Sequence, residues 1–408
     1  MLIAAGAGEL AQRLVAPRQK APAPAPADLE TYFTSEQIAR GARFARPQLA
    51  LALARGALDA SALAALVRRP PQVLRRPIAH PVAAGAIAGA GLACALSLPP
   101  LPLAAISRRR AKAVGLVTQS WPGWAADLAK ATAIEAAIAG AAGAAAIAAT
   151  RRYPRTWWLP AAGASVFVAA LFAALAPVVL DPLFNDFTPL AEGETRSDVL
   201  ELARAAGVRV GEVYTVDASR RTTAANAYVT GLGPTKRVVL FDTLLDRYGR
   251  DEVRVVVAHE LAHVRYRDVQ RSVLYSALVA PAAALAVQQL SWRLSPERGS
   301  PGALPALALS AALVGAPLGL AGNRLSRAVE RRADAFSLDL SRAPDAFVSF
   351  ERKIAIQNVA DLDPPRWVRA LVATHPSTLE RIGAAVAWSR ANRDGELTPA
   401  TRPTQAGS

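Results

Sequence analysis

The chain has 408 residues, of which 52% are hydrophobic and 19% charged, with a single cysteine and a formal net charge of +15. So apolar a composition excludes a disordered or fibrous chain, and one cysteine excludes both a disulfide scaffold and a cysteine-built zinc site. The apolar residues fall in long uncharged blocks with arginines clustered beside them (Arg108–Arg110, Arg151–Arg155), so the positive charge reads as flanking membrane spans, with no nucleic-acid partner expected.

In chain order, Leu2–Pro17 is weakly apolar, is interrupted by Glu9 and Arg13, and lacks the basic start of a signal peptide. The APAPAPA run at 21–27 reads as a stiff linker, and 31–44 as a short interfacial helix closing an N-terminal segment at 1–45. The membrane region, 46–180, opens on a doubtful span, Pro47–Val67, which contains Arg55 and Asp59. Val82–Ile106 is uncharged and long enough for a bilayer, which needs about 20 residues. Cys94 is expected buried within it. Trp124–Ala149 is apolar but carries Asp127, Lys130 and Glu135, suggesting a polar chamber. Trp157–Leu180 is a clean span whose two leading tryptophans suit an aromatic belt. Ser272–Trp292 and Gly299–Asn323 form a further hairpin (272–323). It separates two polar regions, 181–271 and 324–393, that must therefore share one side of the membrane. A polar tail, 394–408, reads as disordered.

The first polar region reads as mixed α and β. Thr195–Ala206 predicts a helix and Val208–Val216 a strand. Residues 227–232 and 237–242 form a β-hairpin turning at Gly233-Pro234-Thr235, and 251–269 form a helix capped by Asp251. The fold class expected is mainly α: a multi-pass membrane protein with a zincin-like α+β catalytic domain, its small sheet beside the last of these helices.

That helix carries His259-Glu260-Leu261-Ala262-His263. Histidines one turn apart project from one face and can hold one Zn²⁺, and Glu260 beside them can serve as general base. A catalytic zinc needs a third protein ligand. Glu330, in NRLSRAVERRADAF (323–336), is the candidate, because the hairpin returns the chain to the face that carries His259. Asp334, one turn on, can accept from the far nitrogen of a zinc-binding histidine. Asn226 precedes the strand 227–232 and is either a strand-entry residue or a holder of substrate amide beside an exposed strand edge. His375, in THPSTLERI (374–382), is either a loop residue or a donor to the oxyanion of a tetrahedral intermediate. His80 reads as interfacial.

Together, YFTSEQIARGARF (32–44), PLFNDFTPLAEGETR (182–196), SRRTTAANAYVTGLGPTKRVVLFDTLL (219–245), VVAHELAHVRYRD (256–268), NRLSRAVERRADAF and THPSTLERI resemble the type I CAAX prenyl protease family of integral-membrane zinc metalloendopeptidases. The likeness is strong over 182–393 and looser over 30–181. It implies zinc on His259, His263 and Glu330, with Glu260 activating water. It also implies a supporting or proton-donating role for Asp334, and substrate or intermediate contacts for Asn226 and His375. It further implies membrane helices ringing a chamber, capped on the cytoplasmic side by the catalytic domain. The partners expected are the bilayer and a peptide or membrane-protein substrate. The family's prenylated substrate is not carried over, and broad membrane quality-control proteolysis is the alternative within the enzyme class. A membrane scaffold or transporter with a relic zinc site is the alternative outside it. The family's best-known members have seven spans, against five clear and one doubtful here.

Overall fold

The computed structural model describes residues 2–396 apart from 20, 76–78 and 232–235. Twelve helices dominate the description that follows. Helix α1 (Leu2–Val15) is followed, after a short turn at Leu29–Tyr32, by α2 (Ser35–Arg68). The expected interfacial helix is thus only the first turns of a 34-residue helix, started by a capping box between Thr34 and Gln37. Arg55 and Asp59 do not break α2. They lie one turn apart, 4.0 Å from each other, with Arg55 exposed and Asp59 half-buried.

The block expected as one span, Val82–Ile106, is instead two helices, α3 (Pro81–Ser97) and α4 (Leu101–Ala113), bent by 49°. Pro99, Pro100 and Pro102 supply the reason, since each lacks the N–H that a continuing helix would use. Helices α5 (Trp121–Arg152) and α6 (Trp158–Leu175) follow. Among the described residues, five helices are long and apolar enough to cross a membrane, or six if the bent pair counts as one span. The protein is a multi-pass membrane protein.

Helices α3 and α5 pack backbone to backbone. A Cβ at Gly89 would sit 2.3 Å from the Ala139 carbonyl oxygen, and one at Gly143 would sit 2.3 Å from that of Gly85. Small residues at these positions permit the close approach from which membrane helices gain dispersion energy. Cys94, expected buried, is exposed. Trp157, expected in an interfacial belt, is buried. His80 is exposed just before α3, beside a large apolar cavity.

The polar regions fold together. Strand β1 (Phe187–Pro189), helix α7 (Glu194–Ala205), β2 (Glu212–Val216), β3 (Ala227–Thr230) and β4 (Arg237–Phe241) precede the motif helix α8 (Arg250–Arg265). The sheet order is β1-β2-β4-β3, with β2 and β4 parallel and the other pairs antiparallel. The hairpin is present, but its turn at 233–235 lies outside the described residues. Strand β1 went unpredicted because three residues, one of them proline, are too short to show alternation.

Helix α9 (Asp268–Leu294) and α10 (Leu304–Ser341) form the expected hairpin, and α1 packs across both through Ala4, Gly8 and Ala11. Helix α10 is uninterrupted for 38 residues, so the division at 323/324 falls inside one helix and Glu330 rides on the extension of a span. Helices α11 (Pro344–Gln357) and α12 (Thr378–Glu396) pack on each other and against α8 and α10. Residues 397–408 lie outside the described residues. The soluble core lies where the sheet, α7 and α8 meet, around Val213, Val238, Leu240, Val257 and Leu261.

Candidate active site

Helix α8 is anchored at its start by the Gly249 N–H, which donates to Glu252 Oε2 at 2.8 Å. The N-cap is therefore Gly249, and Asp251, expected there, lies in the first turn. Glu252 also accepts from Ser349 Oγ (2.6 Å) and Lys353 Nζ (2.8 Å), which ties α8 to α11. One face of α8 buries Val253, Val256, Val257 and Leu261 in the core. His259 and His263 face α10, and the Ser337 hydroxyl donates to the Val255 carbonyl (2.7 Å) to fix the two helices together.

That packing brings three donor groups to one point. His259 Nε2 lies 3.3 Å from His263 Nε2 and 3.3 Å from Glu330 Oε2, and His263 Nε2 lies 3.7 Å from Glu330 Oε1. Tetrahedral coordination with bonds of about 2.0–2.1 Å separates neighbouring donors by about 3.3–3.4 Å, so two imidazoles and a carboxylate at this spacing fit a zinc ion. His259 and Glu330 are buried and His263 is partly exposed, which leaves the group open on one side.

Each histidine is held from behind by a carboxylate. His259 Nδ1 lies 2.9 Å from Asp334 Oδ1, and His263 Nδ1 lies 3.0 Å from Asp268 Oδ2. Each carboxylate is in turn held by an arginine. Arg381 Nε donates to Asp334 at 2.9 Å, and Arg332 donates to Asp268. Arg381 also meets Glu351 at 2.6 Å. A carboxylate on the far nitrogen sets the tautomer and the ring orientation of a metal-binding imidazole. Sequence reasoning named Asp334 but missed Asp268, Arg332, Arg381 and Glu351. All but Glu351 lie inside the quoted motifs, where spacing alone does not show that they converge.

Glu260 follows His259 directly, and burial raises its carboxyl above the usual range. His375 is exposed on the rim, with its Nδ1 2.9 Å from Glu330 Oε2. Its ring nitrogen thus contacts a candidate ligand rather than facing open space. Asn226 is exposed where the chain enters β3, the edge strand packed on α8. Its Oδ1 accepts from the Ala227 N–H (3.0 Å) and its carbonyl from the Phe241 N–H (3.1 Å), so strand entry is the geometry seen. Asp127 and Lys130, expected to mark a polar chamber, contact residues of the catalytic half. Asp127 pairs with Arg221 (2.9 Å), and Lys130 donates to the Leu183 carbonyl (3.3 Å).

The fold is that of an integral-membrane protein, and His259, His263 and Glu330 form a donor set that could hold a metal ion. Residues 189–389 match peptidase family M48, and residues 18–186 match the CAAX prenyl protease N-terminal domain, described as five membrane helices. The chain belongs to this family, the CAAX prenyl proteases of peptidase family M48. It is 33% identical over 241 residues to an uncharacterized metalloprotease, YhfN, of Bacillus subtilis, covering 57% of each chain. It is 39% identical over 115 residues to CAAX prenyl protease 1 of Saccharomyces cerevisiae, covering 28% of this chain and 25% of that one. The chain thus spans little more than half the length of these curated relatives at most. The crystal structure of S. mikatae Ste24p shares the fold, with a TM-score of 0.75 at 21% identity over 94% of this chain and 98% of that one.

Proposed function

We propose that this protein is a membrane-embedded zinc endopeptidase, its catalytic domain on the cytoplasmic face, cutting peptide or membrane-protein substrates. The observation that carries this reading is the convergence of His259, His263 and Glu330 at 3.3–3.7 Å, next to the carboxylate of Glu260. His259, His263 and Glu330 would hold the ion, and zinc so bound supplies Lewis acidity to polarise a peptide carbonyl and acidify a water. Glu260 takes the proton from the attacking water and returns it to the leaving amine. A carboxyl raised by burial is suited to both halves of that transfer. Asp334 and Asp268 keep the two imidazoles in the tautomer that presents Nε2 to the site. The free edge of β3, entered at Asn226, offers backbone groups to an extended peptide. His375, exposed and in contact with Glu330, would serve as the donor to the oxyanion.

The test pairs metal analysis with cleavage of quenched peptides by detergent-purified wild type, Glu260→Gln and Glu330→Ala. The expected result is one zinc per chain in wild type and Glu260→Gln, weakened zinc in Glu330→Ala, and cleavage by wild type alone. Full zinc retention in Glu330→Ala would remove Glu330 from the ligand set. A wild type that holds no zinc would support a scaffold with a relic site.

A further inference from the structure

Beside the metal centre lies a cavity of about 440 Å³ whose lining includes Arg327, Arg331, Arg366, Arg369, His375 and Glu380. Its walls belong to the site. Arg327 and Arg331 flank Glu330 on α10, and His375 touches Glu330. The one lining carboxylate, Glu380, is already joined to Arg331 at 2.6 Å. Arg327 donates to the backbone carbonyls of Ala370 and Ala373 and so fixes the 366–373 segment against α10. Arg366 and Arg369 are exposed, and among the described residues neither side chain has a hydrogen bond or ion-pair partner. Four guanidinium groups therefore face one concavity that holds a single carboxylate.

Unmatched guanidinium groups in a recess select planar anions, which they bind through paired N–H donors. His375 joins this cavity to Glu330, so an occupant lies beside the three candidate metal ligands, where a peptide substrate would be held. We propose that this cavity is a specificity subsite for a carboxylate of the substrate peptide, either an acidic side chain near the cut or the C-terminal carboxylate. The proposal rests on the endopeptidase reading for the identity of its ligand. Arg366 and Arg369 supply the contacts, while Arg327 positions the segment that carries them.

The test reads binding, so it does not depend on turnover. Fluorescent peptides are made in two matched pairs, one with Asp or Glu against Asn or Gln near the cut, the other with a C-terminal acid against its amide. Their Kd values are measured on full-length Glu260→Gln protein in neutral detergent, with and without the added pair Arg366→Gln and Arg369→Gln. The acidic member of at least one pair is expected to bind about tenfold more tightly, and the two arginine substitutions to abolish that preference. The pair that responds identifies the source of the carboxylate. Equal binding of acidic and neutral peptides, absence of any binding, or a preference that survives both substitutions would overturn the proposal. So would an effect of the substitutions that follows the anionic-lipid content of nanodiscs instead of peptide charge. Zinc content and wild-type cleavage, measured separately, show whether the endopeptidase reading has failed.

Discussion

The chemistry of single residues here depends on what stands behind them. His259 and His263 were legible because their spacing puts both on one helical face. Their carboxylate partners were only half legible. Asp334 shares a face with Glu330, whereas Asp268 depends on the turn after α8, where Arg267 adopts a left-handed conformation (φ 57°) and starts α9. No periodic pattern announces such a turn. If Asp334 and Asp268 orient the imidazoles, Asp334→Asn is expected to weaken zinc binding by about 10–100-fold, as loss of such outer partners generally does. Chelator competition on folded protein measures it. An unchanged zinc affinity would reduce Asp334 to a partner of Arg381.

At the scale of elements, α7 is clamped to α8 by one buried carboxylate. Asp198 accepts from Arg250 Nε (2.5 Å) and from Arg254 (2.8 Å), and the hydrogen bonds from Arg250 are the chief reason its carboxyl stays below the ordinary value. A carboxyl with a lowered folded-state value stabilises fully above its unfolded value and loses that contribution as pH falls through the folded one. Between about pH 5 and pH 3, wild type should therefore lose more thermal stability than Asp198→Asn. At neutral pH the variant should be weaker by about 1 kcal/mol, because Arg254 and Arg250 lose a charged acceptor while solvent and Glu194 still reach Arg250. Parallel melting curves of the two proteins across that pH range check both statements. Membrane elements follow packing instead of charge. Gly143→Leu should drive α3 from α5 and lower the melting temperature sharply, since a side chain there meets the Gly85 backbone. Gly163→Ala, with nothing within 4 Å, should be neutral or stabilising by up to about 1 kcal/mol. The uncharged blocks made these helices readable, but their ends were not. Pro99 and Pro100 break what hydropathy alone joins, and α2 runs through Arg55 and Asp59 because an i,i+4 ion pair does not interrupt a helix.

For the whole molecule, the central question is how a membrane bundle keeps a soluble catalytic half in register with it. Composition revealed both halves but not the joint, because charges within an apolar block look alike whether they face a chamber or a partner domain. The structure puts the joint between the loop before α5 and the segment leading to β3. Thr118 and Thr223 exchange backbone bonds with Arg221 and Leu116, and Val117 bridges Thr222. Asp127 locks this ladder by accepting from Gln119 (2.6 Å) and Arg221 (2.9 Å), and the side chains of the ion pair are about four-fifths buried. Just two residues, Ala224 and Ala225, separate this ladder from Asn226 and the edge strand β3. A charge reversal at either end should therefore both loosen the joint and displace the edge. Asp127→Arg and Arg221→Asp, made singly, are expected to destabilise the protein and to raise KM for peptides while zinc stays bound. The double reversal should recover part of both losses, with a coupling of about 1–3 kcal/mol. Additive losses in the double-mutant cycle would show that the two halves are held by the backbone ladder alone.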